Sequence, residues 1–378
     1  MVQPYLHLPD PGPTAPERHA LFVARIAHWP FADLLRAAWD DWGNPPQLHI
    51  LARQLHFLNA LHPGQTASRE RPSWEIDRRH TVELRYLRRP GEAVIECALL
   101  GKACGPDVES ARANALEWWH ALADLFPTGY ALIPAEDPEQ FSKWSGEDII
   151  VKVNASTVAE IRRPVEMVLW TDNRLPSRHF PLIHPFAFQP EGWEAVWAAQ
   201  MRVNAPTLTA VSLRPVTLPV TDELALAEVF DDILINLVRS RPSLFLRLRE
   251  AANYYHLYLR PQPGLYVVRV HVIGPPAVRL AVRGALSAPV WPHHPFTGQA
   301  DVTAPPPDEL ATVLNNLAWL EQTPWEGSNL PPLFEGLRYR VDAANALCAF
   351  RLPLLAARDM SGIKLGQEIP PDVRPLQS

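Results

Sequence analysis

Forty-one prolines are spread along a chain of 378 residues, roughly twice the usual share. Each one removes a backbone donor and fixes φ near about −65°, so it belongs at the ends of elements and in connections. The chain is therefore expected to consist of many short elements with rigid joints. A hydrophobic fraction of 47% and a charged fraction of 20% exclude wholesale disorder. The length exceeds what one ordinary core holds, and about two or three domains are expected.

A formal net charge of −6 argues against a general nucleic-acid coat, which needs a net basic face to release phosphate counterions. Lysine occurs only at Lys102, Lys143, Lys152 and Lys364, so the cations are nearly all arginine. Arginine suits bidentate, partly buried pairs, although a compositional bias of the source would give the same count. The cysteines Cys97, Cys104 and Cys348 are too few and odd in number for a disulfide framework, which fits a reducing compartment. Residues 1–16 lack the regions of a signal peptide. The longest apolar run, 343–357, is broken by Asn345, Arg351 and Pro353 and cannot comfortably span a bilayer. A cytoplasmic chain is expected, with room for peripheral docking on a membrane complex.

Five segments follow from the pattern. Residues 1–30 are proline-rich and expected to be irregular. A first α+β unit covers 31–146, with helical spacing from Phe31 to Leu61 interrupted at Gly43-Asn44-Pro45-Pro46. Within it, Thr81 to Ala103 reads as a hairpin around Arg89-Pro90-Gly91-Glu92. Asp107 is a good N-cap for the helix carrying Ala111, Ala115, Trp118, Leu122 and Leu125, and Pro127 stops that helix. A middle segment, 147–220, offers strands at Ile149–Val153, Pro164–Trp170 and Leu208–Leu213. A second α+β unit, 221–330, starts with a helix from Thr221 to about Val238. A second hairpin is expected there, Tyr254–Arg260 against Leu265–Ile273, around Pro263-Gly264. The last segment is 331–378. In both hairpins a second glycine stands ten residues after the turn glycine, Gly91 to Gly101 and Gly264 to Gly274. His184-Pro185-Phe186 is echoed by His294-Pro295-Phe296. The expected class is α+β, with mixed or antiparallel sheets covered by helices on one face and an internal duplication of a hairpin-plus-helix unit. Convergence on the same turn chemistry is the alternative.

Motifs that carry chemistry are missing. The pattern G-x-x-x-x-G-K-[ST] does not occur, and Gly101-Lys102 is followed by Ala103 and reads as the turn out of a hairpin. G-x-G-x-x-G, H-E-x-x-H, C-x-x-C and G-x-S-x-G are absent too. The pair His293-His294 falls on an extended segment, where neighbours point to opposite sides. Asp231-Asp232 reads as the hydrated side of a helix. Trp118, Trp119, Trp193, Trp197 and Trp319 fall in helical patterns, so packing explains them better than base stacking. The doublets Arg78-Arg79, Arg88-Arg89 and Arg162-Arg163 are the local basic features. No cofactor and no metal are expected, and the reading is not an enzyme.

The C-terminal stretch carries a resemblance. Gly336-Leu337-Arg338-Tyr339-Arg340-Val341-Asp342-Ala343-Ala344-Asn345-Ala346 is followed by Ala349-Phe350-Arg351-Leu352-Pro353. Gly362-Ile363-Lys364-Leu365-Gly366 comes next. This order resembles the junction that closes the N-terminal domain of conjugation and type IV secretion ATPases of the HerA–FtsK superfamily. There, a G-I-x-L-G segment leads into the RecA-like motor. Residues 181–186, 208–215 and 82–101 look like other parts of that N-terminal domain. The chain ends at Ser378, where such a motor would begin, so the motor's phosphate-loop lysine and acidic metal ligand have no counterparts to carry over. The resemblance implies a non-catalytic assembly or docking domain. Its implied partners are an ATPase motor subunit or domain, a second copy of the chain, and a membrane complex. Arg351, Lys364 and Gln367 are the implied contact positions. The alternative is a nucleic-acid or protein binding module of a defence or mobile-element complex, with direct nucleic-acid contact through the tryptophans and arginines.

Overall fold

The computed structural model describes residues 2–9, 17–28, 30, 46–62, 80–154, 157–172, 175–189, 192–218, 220–232, 258, 264–287, 299–321, 330 and 332–354. Lys364, Gln367, Arg78-Arg79 and His293–Phe296 lie outside them. The described part of the chain opens into β1 (Arg18–His28), α1 (Pro46–Leu61), β2 (His80–Arg88), β3 (Glu96–Gly105), α2 (Val108–Leu125) and β4 (Ala131–Pro134). The short helices α3 (Pro138–Ser145) and α4 (Glu147–Ile150) follow. Next come β5 (Val158–Arg162), a hairpin of β6 (Val165–Asp172) and β7 (Leu175–Ile183), α5 (Gly192–Arg202), β8 (Thr207–Val216) and α6 (Val220–Asp232). Then β9 (Leu265–Ile273), α7 (Pro276–Leu286), β10 (Asp301–Thr303) and α8 (Leu310–Ala318) are followed by α9 (Pro332–Tyr339), β11 (Arg340–Asp342) and α10 (Ala343–Ala349).

One nine-stranded antiparallel sheet organises these elements, in the order β10-β5-β9-β8-β2-β3-β1-β4, with β11 added beside β9. The order contains a repeat. Reading β1, β2, β3 and β4 as strands one to four, the first half is arranged 4-1-3-2, with α1 after the first strand and α2 after the third. Reading β5, β8, β9 and β10 the same way, the second half is again 4-1-3-2, with α5 and α7 in the equivalent places. Each half is thus a βαββαβ unit of ferredoxin-like topology. The halves join through their equivalent second strands, β2 and β8, which pair antiparallel with Leu84 opposite Val211. Antiparallel pairing of equivalent strands is what a local two-fold axis produces.

The α+β class holds, while several local expectations change. β1 lies inside 1–30, where irregular structure was expected. Its run from Ala20 to Ala27 is buried on both faces, apart from half-buried Arg25, so the period-two signal of a half-exposed strand is missing. Ile149 and Ile150 close the short helix α4 rather than a strand. The partner of β9 is β8, paired from Val216 opposite Leu265 to Leu208 opposite Ile273. Its other edge is shared by β5 and β11. Tyr258, the described residue of the expected strand 254–260, is helical. The topologically equivalent glycines are therefore Gly105-Pro106 and Gly274-Pro275, which stand at the two strand-to-helix junctions. Gly101 lies inside β3 and not in a turn, and a Cβ there would sit 2.0 Å from the ring of Phe22. Gly91 does occupy a turn, with φ of 82°. The segments 147–220 and 221–330 interleave in one sheet, since β8 pairs with both β2 and β9.

Helices cover both faces, not one. On the first face α1, α2, α5, α7 and α10 enclose the largest core, which runs from Phe22 and Leu84 through Trp119, Trp193 and Trp197 to Val270 and Leu352. Asp107 caps α2 by accepting from the Ser110 amide at 2.7 Å. On the second face, α4 and α8 pack over Leu87, Leu208 and Ile273, and Phe141 and Trp144 of α3 pack over Leu21, Val23 and Leu100. Leu226 of α6 and Leu337 of α9 meet Val216 and Leu265 at the other end.

Candidate functional site

Three places bring chemistry-bearing groups together. The first is a polar band across the middle of the second sheet face, between its apolar ends. Strand alternation puts Glu83 and Arg85 of β2, Ser212 of β8, Arg269 and His271 of β9, and Glu160 and Arg162 of β5 on that side, all of them buried. Arg85 donates from Nε to Glu83 Oε1 at 2.5 Å, and its two terminal nitrogens donate to the carbonyls of Ser145 and Leu317. Those carbonyls close the last turns of α3 and α8, so one guanidinium sits at two negative helix ends. Glu160 takes Arg269 at 2.5 Å and Arg162 at 2.5 Å, with His271 Nε2 at 3.8 Å. Arg269 also lies 4.3 Å from the Tyr339 ring.

The two acids respond differently to the same burial. Burial pushes the Glu83 carboxyl up, and the single Arg85 offsets it only in part. At Glu160 burial pushes upward too, but Arg269 and then Arg162 outweigh it and hold the carboxyl below its ordinary value. Burial pushes His271 down to about 4 despite Glu160, so its imidazole is neutral at pH 7. A carboxylate held by two guanidiniums is a closed ion cluster. It ties β5 to β9.

The second place joins β1 and β3. His19 Nδ1 stands 3.1 Å from Cys104 Sγ, while His19 Nε2 is 3.8 Å from Glu321 Oε1, which also accepts from Lys102 Nζ. Thiol, imidazole and carboxylate in a row have the order of a nucleophile, its base and an orienting acid. The electrostatics run the other way. Burial pushes the Cys104 thiol up to about 11, and burial followed by Lys102 lowers His19. Both groups are neutral at pH 7, and thiol and imidazole share a hydrogen bond without ionising. Cys97 and Cys348 are buried thiols, also shifted upward by burial.

The third place surrounds Arg351, which is 1% exposed. Its backbone neighbourhood is fixed by the first half of the fold. Tyr86 of β2 donates to the Arg351 carbonyl at 2.5 Å, and Gln54 of α1 accepts from the Leu352 amide at 3.2 Å. Gln54 also donates to Tyr130 at 2.8 Å, and Tyr130 donates to the Pro353 carbonyl at 2.9 Å. The guanidinium itself is left over. Nε, Nη1 and Nη2 are buried with no hydrogen-bond partner among the described residues. The Phe188 ring, 48% exposed, lies over the guanidinium at 5.1 Å. Burial lowers the Arg351 pKa; Cys348, Tyr86 and Tyr130 push it back up, and no carboxylate is among the groups that act on it. Arg351 is therefore no surface contact residue in this state.

Other residues singled out by sequence are absorbed into the fold. Trp118, Trp119, Trp193 and Trp197 are core residues, and Trp193 donates to the Cys348 carbonyl at 3.0 Å. Arg162 and Arg163 are buried. Arg163 donates to the carbonyls of His184, Leu337 and Arg340 at 3.0, 3.0 and 2.9 Å. Arg89 is held by Asp148 at 2.9 Å and Glu96 at 2.8 Å. Lys102 is buried in the middle of β3. Phe186 exchanges hydrogen bonds with the Asn345 side chain, which pins 184–188 onto α10. Asp231 is exposed, as expected for a hydrated helix face. A cavity of about 410 Å³ between the N-terminal segment, the end of α2 and β4 is lined by Val2, Trp119, Phe126, Tyr130 and Leu132 among others. Its lining carries no acid, amine or thiol. No group of three or more possible metal ligands occurs among the described residues, and no described helix is long and apolar enough to cross a membrane.

The band, the thiol and the leftover guanidinium missed by motif search share one trait: each assembles from segments distant in sequence. The fold and its sites define a class, two ferredoxin-like units fused edge to edge with ionic groups turned inward as struts. No protein-family model matches the chain, and no curated protein matches it significantly.

Proposed function

We propose that the chain is a non-catalytic assembly or docking domain of a HerA–FtsK-like ATPase in a secretion or DNA-translocation complex. The observation that carries this reading is the ordered C-terminal wording, Asp342-Ala343-Ala344, Phe350-Arg351-Leu352-Pro353 and Gly362-Ile363-Lys364-Leu365-Gly366. The way the first two words sit in the fold adds support. Asp342 caps α10 through the Asn345 amide at 2.9 Å, and Gln54, Tyr86 and Tyr130 grip residues 351–353. A chain leaving such a grip departs from a fixed point, which suits a domain that positions a motor. The partners proposed are a motor subunit or domain and a second copy of the chain. A peripheral place at a membrane complex belongs to the same proposal, as does cytoplasmic residence.

The nucleic-acid reading loses ground by comparison. It needs accessible arginines and aromatics, and Arg85, Arg162, Arg163, Arg269 and Arg351 are buried, as are four of the tryptophans it would use. The test is sedimentation of the purified chain alone and with a HerA-like motor subunit, beside an ATP hydrolysis assay. The expected result is a faster-sedimenting complex with the motor and no ATP turnover by the chain alone. ATP hydrolysis by the isolated chain that disappears on a point substitution within it overturns the proposal. So does salt-sensitive retention on DNA without any association with a motor.

A further inference from the structure

We propose that Arg351 is the anchor of a carboxylate-binding site that the Phe188 ring covers in this structure. A guanidinium stays charged in proteins, and a buried charge without a counter-ion is costly. Most other buried arginines here have their charge answered: Arg85 by Glu83 and two helix ends, Arg162 and Arg269 by Glu160, Arg338 by Asp301. Among the described residues, Arg351 has three nitrogens with no hydrogen-bond partner and an aromatic ring above it. The carbonyls of 351, 352 and 353 already accept from Tyr86, Gln54 and Tyr130. The same bonds fix the backbone from which the Arg351 side chain projects.

Charge selects the ligand class. No second cation acts on Arg351, so one guanidinium balances one carboxylate and leaves a phosphate dianion half uncompensated. The planar fork matches the two carboxylate oxygens in a bidentate contact. Phe188 is half exposed, so the ring can swing into solvent without opening the core. The carboxylate can come from a small acid or from an acidic side chain of another polypeptide. The inference is independent of the assembly reading, because it concerns the isolated chain.

Thermal unfolding of the whole chain at constant ionic strength tests it, with acetate, a doubly capped aspartate, inorganic phosphate and chloride as probes. A saturable rise in Tm is expected with a carboxylate and not with chloride. If acetate and capped aspartate act alike, the source is any small acid; if only capped aspartate acts, the source is a peptide side chain. Arg351→Met, which removes the unpaired charge, is expected to fold with an unliganded Tm at or above that of the parent, and to lose the response. Phe188→Ala is expected to lower the half-saturating carboxylate concentration severalfold. Should Arg351→Met not fold, Arg351→Lys, expected to raise the half-saturating concentration at least tenfold, replaces it. The proposal is overturned by no saturable response, by an equal response in the Arg351 variant, or by phosphate acting as well as acetate.

Discussion

His271 shows how one buried side chain sets a pH dependence for the whole protein. Its imidazole titrates at about 4 in the folded chain, driven first by burial, with Arg269, Arg162 and Arg85 adding to it and Glu160 opposing. In the unfolded chain it titrates near about 6.5. Between those values the unfolded chain binds the extra proton, so folding stability falls as pH is lowered from about 6.5. Between pH 6.5 and 5 this amounts to about 1.6 kcal/mol, because the full slope of about 1.36 kcal/mol per unit is reached only below the unfolded value. His19, whose folded value burial also lowers, adds to the same slope, so the His271 share is the difference between parent and variant. We expect the urea midpoint of the parent to fall across this window and that of His271→Gln to fall distinctly less. Equal slopes would remove His271 as the cause. Glu160 contributes lower down: its folded value is depressed, so its stabilisation is present above about pH 4.3 and is lost as pH falls through the folded value. The scarcity of lysine makes sense at this scale as well. Arg85, Arg163 and Arg338 each bond several acceptors in fixed directions, which a single ammonium cannot do.

Elements are held to the sheet by these forks, and Arg85 is the clearest case. It joins the ends of α3 and α8 to β2, and neither helix is long enough to be stable without tertiary contacts. Arg85→Met should destabilise the chain by about 3–5 kcal/mol, because Glu83 and two helix-end carbonyls lose a buried partner. Arg85→Lys should recover only part of this. Hydrogen exchange locates the effect: amides of 310–318 and 138–145 should lose protection before those of β2 and β3. Uniform loss across the sheet would show that Arg85 acts through the strands alone. Elements with a local signal were legible in the sequence. Asp107 and Pro127 bracket α2, Pro90-Gly91 marks the β2–β3 turn, and the alternation at Leu208–Leu213 lies within β8. Elements defined by what surrounds them were not. β1 reads as an apolar run because both its faces are covered. Ile149-Ile150 reads as a strand because two β-branched residues outweigh a one-turn helix, while Gly146 and the packing on Leu208 decide otherwise. The leftover guanidinium of Arg351 had no signature, since an unmet hydrogen bond is a property of the fold.

At the scale of the molecule, the β2–β8 seam decides whether two similar units behave as one. The sequence paired β9 with residues 254–260, because the nearest upstream strand-like stretch wins any local reading. The true partner, β8, lies on the far side of α6. Chains of this size often unfold in steps. Here the seam argues for one step, since the largest core crosses it: Tyr86 of β2 packs against Trp193 and Trp197 of α5, and Gln200 donates to the Tyr86 carbonyl at 3.3 Å. Separating the units would also bare the paired edges of β2 and β8, two long strands rich in apolar residues, and such edges are aggregation-prone. We therefore expect far-UV circular dichroism, tryptophan fluorescence and calorimetry to report a single coincident transition. Tyr86→Ala removes a buried ring and its hydroxyl contact to Arg351. It should cost about 3–5 kcal/mol, with the loss shared by both units because the ring belongs to both. A variant in which 80–125 melts while 192–286 stays protected from exchange would show that the seam is only a contact between independent domains.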